Sequence, residues 1–147
     1  MTVRVGAAAE GDLDDIKKLV VDAGLPLDGL FEHDPTEVIV AHDDGEVVGG
    51  AALELYDDAG LLRSVVVRPG YRRGGVGSAL TAAAVHRARE RSLQSVYLLT
   101  ESAERFFAGH GFATIDRDAA PAAVAGSVEW AEVCGDSAVP MTRTVTG

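Results

Sequence analysis

Hydrophobic and polar positions change period several times along the chain, and each change marks an element. "TVRV" reads as a short first strand. In "EGDLDDIKKLVVDAGL", Leu13, Ile16, Leu19 and Val20 recur at helical spacing, with Asp12 placed to cap the start. "PLDGLFEHDP" is an irregular or short helical connection at the surface. "TEVIVAHDDGEVVGGAALELY" predicts two antiparallel strands joined at "HDDGE", because Asp-Gly is a strong hairpin signal. "DDAG" ends that pair, and "LLRSVVVRP" supplies a fourth strand closed by Pro69. Its unbroken valines predict a strand covered on both faces.

The second half opens on glycine. From Gly75 to about Glu90 the chain is helical and rich in alanine. "SVYLLT" predicts a short strand, and "SAERFFAGHG" a compact helix stopped by Gly111. Phe112 to Ile115 is another strand. In the tail, "APAAVAGSVEWA" has a helical composition, and "SAVPMTRTV" predicts a last strand interrupted by Pro140. The order is α/β, with antiparallel pairs early and a strand–helix–strand unit in the middle.

Composition narrows the classes. A chain of 147 residues with 47% hydrophobic content makes one domain with one sizeable core. No apolar run approaches the roughly 18 residues that span a bilayer, and no leader precedes the first strand, so a cytoplasmic protein without membrane partners is expected. Cys134 is the single cysteine, which excludes an internal disulfide; it reads as structural filler. His33, His42, His86 and His110 are scattered without ligand spacing, so no metal is expected. Acidic residues outnumber basic ones 23 to 13, the net charge is -10, and Lys17 and Lys18 are the only lysines. Such a surface disfavours nucleic acid. It suits either a salt-rich cytoplasm or an ordinary acidic protein.

Against that acidity, "RPGYRRGGVGSAL" concentrates three arginines and four glycines where a strand turns into a helix. Gly74, Gly75 and Gly77 let backbone N–H groups approach a ligand. The first N–H groups of the helix, through Val76 and Ser78, carry the positive end of its dipole and favour an anion. Arg72 and Arg73 add charge-assisted contacts to phosphate oxygens. A mononucleotide loop needs a lysine followed by serine or threonine, which is missing. A dinucleotide loop needs another glycine order and an acid closing the next strand, and "SVYLLT" ends on none. A diphosphate on a long uncharged arm, as in coenzyme A, remains by elimination.

"RRGGVG", Arg72 to Gly77, resembles the Q/R-x-x-G-x-G/A signature of the GNAT superfamily of N-acetyltransferases, and "SAERFFAGHGF" is similar to that family's A-x-x-F-Y-x-x-x-G-F segment. The likeness runs from Val3 to about Ile115. It implies one GNAT domain over residues 1–147, with a mixed, mostly antiparallel sheet flanked by helices and splayed between strands 4 and 5. Acetyl-CoA would be wedged in the splay, without a metal. The backbone of Val65, Val66 and Val67 would then pair with the pantetheine arm. Arg72 to Gly77, with Ser78, would hold the pyrophosphate. "LELYDDAGLLRSVVVRP", "VYLLTESAERFFAGHGF" and "VEWAEVCGDSAVPM" further resemble the arsenic-resistance acetyltransferases related to arsinothricin N-acetyltransferases. A weaker likeness runs to the short amino-acid N-acetyltransferases that make N-acetylglutamate. Both imply a small amino acid with a free α-amino group, such as glutamate, arsinothricin or phosphinothricin.

Acetyl transfer to an amine requires the loss of an ammonium proton and a polarised carbonyl, and alignment supplies much of the rate. Glu54 is the first candidate base: alternation puts Ala52, Glu54 and Tyr56 on one strand face. The alternative for Glu54 is a solvated strand end. Glu101 is the second base or substrate-binding acid, with a helix-start role as its alternative. The family's tyrosine, the usual acid, is Phe107 here, which keeps a cofactor-lining place but has no proton to give. Tyr56 or Tyr71 would have to substitute, or the thiolate leaves unprotonated. Arg63 interrupts an apolar strand and fits a substrate carboxylate, or an ion pair with Glu54 or Glu37. Arg105 is a second substrate-binding candidate.

The leading expectation is direct acetyl transfer, in a ternary complex, to the α-amino group of a small amino acid by a monomer or homodimer. An N-acetylglutamate-forming enzyme, an enzyme for another amine (protein N-terminus, polyamine, antibiotic) and a non-catalytic acetyl-CoA-binding module are the alternatives. An acidic open groove would mark the other-amine enzyme, and a compact pocket with Arg63 the amino-acid one.

Overall fold

Seven strands form one sheet in the order β1-β2-β3-β4-β5-β7-β6 in the computed structural model, which describes residues 3–133 and 137–146. In chain order the elements are β1 (Val3–Ala7), α1 (Leu13–Asp22), β2 (Thr36–Asp43), β3 (Glu46–Tyr56) and β4 (Ala59–Val67), followed by α2 (Val76–Glu90) and β5 (Ser95–Thr100). Then come α3 (Glu104–Ala108), β6 (Ala113–Thr114), α4 (Ala122–Ala125), a π-helical turn at Glu129–Val133, and β7 (Val139–Thr144). Cys134 lies outside the described residues. No helix among the described residues is long and apolar enough to cross a membrane.

The early strands pair as their sequences predict. Asp43 faces Glu46 across a two-residue turn, with Asp44 at φ 50° and Gly45 at φ 82°. Both central residues are left-handed, the geometry whose twist matches antiparallel strands. β1, β2, β3 and β4 run antiparallel in sequence order. Two layers cover them. On one face α2 sets Leu80, Ala84 and Val85 against Ile39, Ala51, Leu53 and Leu62. On the other, Ile16 and Val20 of α1 meet Val40, Ala52 and Val66. There α1 lies so close that a Cβ at Gly50 would stand 2.8 Å from Ile16. At the far end of α2, Arg87 and Arg91 close on Glu37 of β2 at 2.8 and 2.6 Å.

Several local expectations are corrected. Asp12 precedes α1, but its carboxylate turns back to the Ala9 N–H and to His42, both at 2.9 Å, and caps no α1 amide; the first of these, Leu13 N–H, donates to Glu10 O instead. The segment after α1 is no mere surface connection, because Leu30 is buried. The tail helix is broken into α4 and the π turn. β7 runs straight through Pro140, whose carbonyl accepts from Ile115. The ring nitrogen faces the same side, past the last residue of β6, so proline forgoes at most a bond to that end and none to β5.

The decisive feature is where the sheet stops closing. β4 and β5 run parallel and pair only from Ala59–Ser95 to Leu61–Tyr97. Beyond that point β5 continues against β7 as far as Thr100. The remainder of β4, from Leu62 to Val67, has no strand partner on that edge among the described residues, so the mixed, largely antiparallel sheet is splayed between strands 4 and 5 as expected.

Candidate active site

The opening is lined first by backbone. Arg68 N–H donates to Val48 O on β3, and Val67 O accepts from Arg72 Nε at 3.1 Å on the other edge. Strand alternation therefore turns the N–H groups of Val65 and Val67 into the opening, while Val66 points its side chain into the α1 core. Upstream, Ser64 takes φ 58° where two residues of β4 stand opposite one of β3. This bulge re-aims the strand at the mouth of the splay.

The glycine–arginine turn stands at the end of β4. Arg72, Arg73, Gly74 and Gly75 are exposed, and Gly75 caps α2 at φ 83°. The first intrahelical bond is Ala79 N–H to Gly75 O, which leaves the amides of Val76, Gly77 and Ser78 without helical partners. Gly77 lies 3.4 Å (from its would-be Cβ) from the ring of Phe106, and Ser78 Oγ is 3.1 Å from His110 Nε2. Phe107, the residue at the family's tyrosine position, is instead buried against Phe112 in the core. Phe106 is thus the ring nearer the turn, a distinction the run of two phenylalanines hides.

Behind the splay lies a buried charge cluster on the α1 side of the sheet. Glu54 and Arg63 are each 2% exposed. Tyr56 donates to Glu54 Oε1 at 2.6 Å, as their shared strand face predicts. Arg63 Nη1 reaches Glu54 Oε2 at 3.4 Å, and Nη2 donates to Asp28 O at 2.9 Å and Pro26 O at 3.4 Å. Its Nε points to Ser64 Oγ at 3.4 Å and to Glu129 Oε1 at 3.7 Å. Of the readings open for these residues, Glu54 is no solvated strand end. Arg63 pairs with Glu54, since Glu37 is engaged by α2.

Glu129 went unnoticed in the sequence. It is 5% exposed, and among the described residues its Oε2 has no hydrogen-bond partner. Burial pushes its carboxyl up to about 7, with Arg63 opposing and Glu54 adding to the shift. The cue was an acid set in an apolar stretch, "SVEWA", beside the sole tryptophan. Trp130 anchors it, packing with Ala59 and Leu61 and edge-on to Tyr97 at 6.4 Å.

Other candidates are placed apart. Burial and the Glu54 carboxylate hold the Tyr56 hydroxyl well above the usual range, and His33 stacks on its ring at 4.0 Å. Tyr71 donates to Asp43 at 2.6 Å, toward the β2–β3 hairpin. Glu101 is exposed and accepts from Ser137 at 3.3 Å, and Arg105 is exposed on α3. Among the described residues no three His, Cys, Asp or Glu side chains gather as a metal site.

Residues 34–114 match the acetyltransferase (GNAT) domain family, more than half of the chain. The chain belongs to the GNAT acetyltransferase family. An amino-acid acetyltransferase of Mycobacterium tuberculosis is 41% identical over 81 residues, covering 53% of this chain and 46% of that protein. One from Shewanella oneidensis is 39% identical over 80 residues, covering 53% of this chain and 18% of its own. The chain thus spans less than half the length of these curated relatives. Among solved structures, Rv2747 of M. tuberculosis in complex with CoA and NLQ superposes with a TM-score of 0.79 at 29% identity, over 96% of this chain and 98% of that one. The Neisseria gonorrhoeae N-acetylglutamate synthase complexed with coenzyme A and N-acetyl-glutamate gives 0.82 at 23% identity, over 100% of this chain and 36% of that one. At that identity the likeness speaks to the fold.

Proposed function

We propose that this chain is an acetyl-CoA-dependent N-acetyltransferase for the amino group of a small amino acid, acting as one GNAT domain over residues 1–147. The observation that carries the reading is the unpaired edge of β4 leading straight into the bare N-terminus of α2. A pantetheine arm fits beside Val65 and Val67, whose amides point into the splay, and one of them polarises the thioester carbonyl. The amides of Val76, Gly77 and Ser78, with Arg72 and Arg73, suit the pyrophosphate. Phe106 takes the lining place first given to Phe107. With a phenyl ring at position 107, the thiolate leaves unassisted or takes its proton from the amine.

An amino-acid acceptor is favoured because the curated relatives that the chain matches include amino-acid acetyltransferases of M. tuberculosis and S. oneidensis. Structures resembling this one hold CoA with N-acetyl-glutamate or with NLQ. These favour a glutamate-type acceptor over arsinothricin or phosphinothricin, the analogues that the narrower sequence likeness suggests. Thiol release from acetyl-CoA, run across L-glutamate, L-glutamine, phosphinothricin, arsinothricin and spermidine, decides among them. We expect turnover with glutamate or glutamine at least 10-fold above the others in kcat/KM. Preference for the analogues would make this a resistance enzyme, and preference for spermidine would remove the amino-acid reading.

A further inference from the structure

We infer that Glu129 is the acceptor-amine site of this enzyme: its unpartnered Oε2 binds the substrate ammonium and then takes its proton. The inference rests on the acetyltransferase reading above and deepens it. Two carboxylates, Glu54 and Glu129, share one guanidinium, Arg63, in a place where all three residues are at least 95% buried. With both acids ionised the cluster carries one net negative charge away from water, which is costly unless a cation joins it. Each of the three nitrogens of Arg63 is turned to protein: Nη1 to Glu54, Nη2 to the Pro26 and Asp28 carbonyls, and Nε to Ser64 and Glu129. Glu54 is held from both sides, by Arg63 and by the Tyr56 hydroxyl. Among the described residues, Glu129 Oε2 is the buried side-chain oxygen left without a partner. The cluster therefore lacks a donor, and an ammonium supplies it.

Position agrees with charge. Trp130 seats this segment on Ala59, Leu61 and Tyr97, at the pairs where β4 and β5 part. Arg63 is the second residue beyond that point, and Val65, whose amide faces the opening, follows it across the Ser64 bulge. An amine on Glu129 and an acyl group beside Val65 would then flank the same bulge of β4. The groups facing Glu129 are Glu54 from β3 and Arg63 from β4; Tyr56, with His33 stacked on it, and the Pro26 and Asp28 carbonyls stand behind these two.

Glu129 Oε2 takes one proton from the ammonium and becomes the acid. The freed nitrogen lone pair forms the N–C bond with the acyl thioester while the C–S bond breaks and its electron pair leaves on sulfur. The second amine proton goes to that thiolate, and Glu129 returns its proton to water.

Glu129→Gln removes the base and keeps the shape. We expect wild-type kcat/KM for L-glutamate to rise with pH and level off near 7, where Glu129 ionises. In the variant it should fall about 100-fold and keep rising past 7, following the amine's own ionisation. A merely structural role would lower the rate without moving that break, and an unmoved break overturns the inference. Calorimetry on the CoA-loaded protein, with L-glutamate and n-butylammonium at pH 6 and pH 8, reads the site without turnover. We expect wild-type affinity for at least one of these amines to be higher at pH 8, and to be at least 10-fold weaker and pH-independent in the variant. Unaltered amine binding in Glu129→Gln, or none in wild type, overturns it. Turnover failing with every amine would refute the acetyltransferase reading, while the calorimetry still decides Glu129.

Discussion

Arg63 and Glu129 meet although they lie in distant parts of the chain, and their burial makes stability depend on pH in a definite direction. The Glu129 carboxyl ionises at about 7 when folded, against an ordinary value of 4.5. Between those values the folded chain keeps a proton that the unfolded chain has released, so this group makes stability fall as pH rises through the window. Glu37 acts in the other sense: burial works against its charge, but Arg91 and Arg87 outweigh it and hold the carboxyl below 4.5. Its contribution is present above that value and lost below it, outside the Glu129 window. Thermal melts of wild type and Glu129→Gln should therefore show the variant gaining on wild type between pH 5 and pH 8. A constant difference would mean that Glu129 titrates normally. The sequence exposed half of this cluster. Alternation placed Glu54 with Tyr56, and a charge among valines marked Arg63. Glu129 and the choice of Phe106 over Phe107 depend on how short helical turns rotate against the sheet, which local pattern does not encode.

At the scale of elements, strong local chemistry was legible and tertiary tolerance was not. Asp44–Gly45 set the hairpin, and the periodicity of α1 and α2 set their buried faces. Pro140 argued for an interrupted strand, yet β7 accepts it because β6 is only two residues long. The packing of α1 on β3 depends on a missing side chain at Gly50, with Ile16 directly above. Gly50→Ala pushes a methyl into that contact and should destabilise by about 1–3 kcal/mol, read as a lower denaturation midpoint with an unchanged slope. An unchanged midpoint would mean that α1 is free to lift off β3. Since Ala52 and Val66 share the α1 core, the same helix fixes the strand pair that carries Glu54 and Arg63.

The whole molecule is a sheet that is closed at one end of β4 and open at the other, and the proposed chemistry follows from that asymmetry. The order of elements and the glycine–arginine turn made the architecture readable from "RRGGVG" and its flanks. The short β4–β5 pairing, which sets where the opening begins, is a property of three residue pairs that no motif marks. On this reading the acyl donor lies along the open edge of β4. Amide hydrogen exchange followed by NMR, with and without coenzyme A, tests it directly. Arg68 N–H, already bonded to Val48 O, should be protected in both states, while Val65 and Val67 N–H should slow at least 10-fold when coenzyme A is added. Unchanged exchange at Val65 and Val67 under saturating coenzyme A would contradict the account.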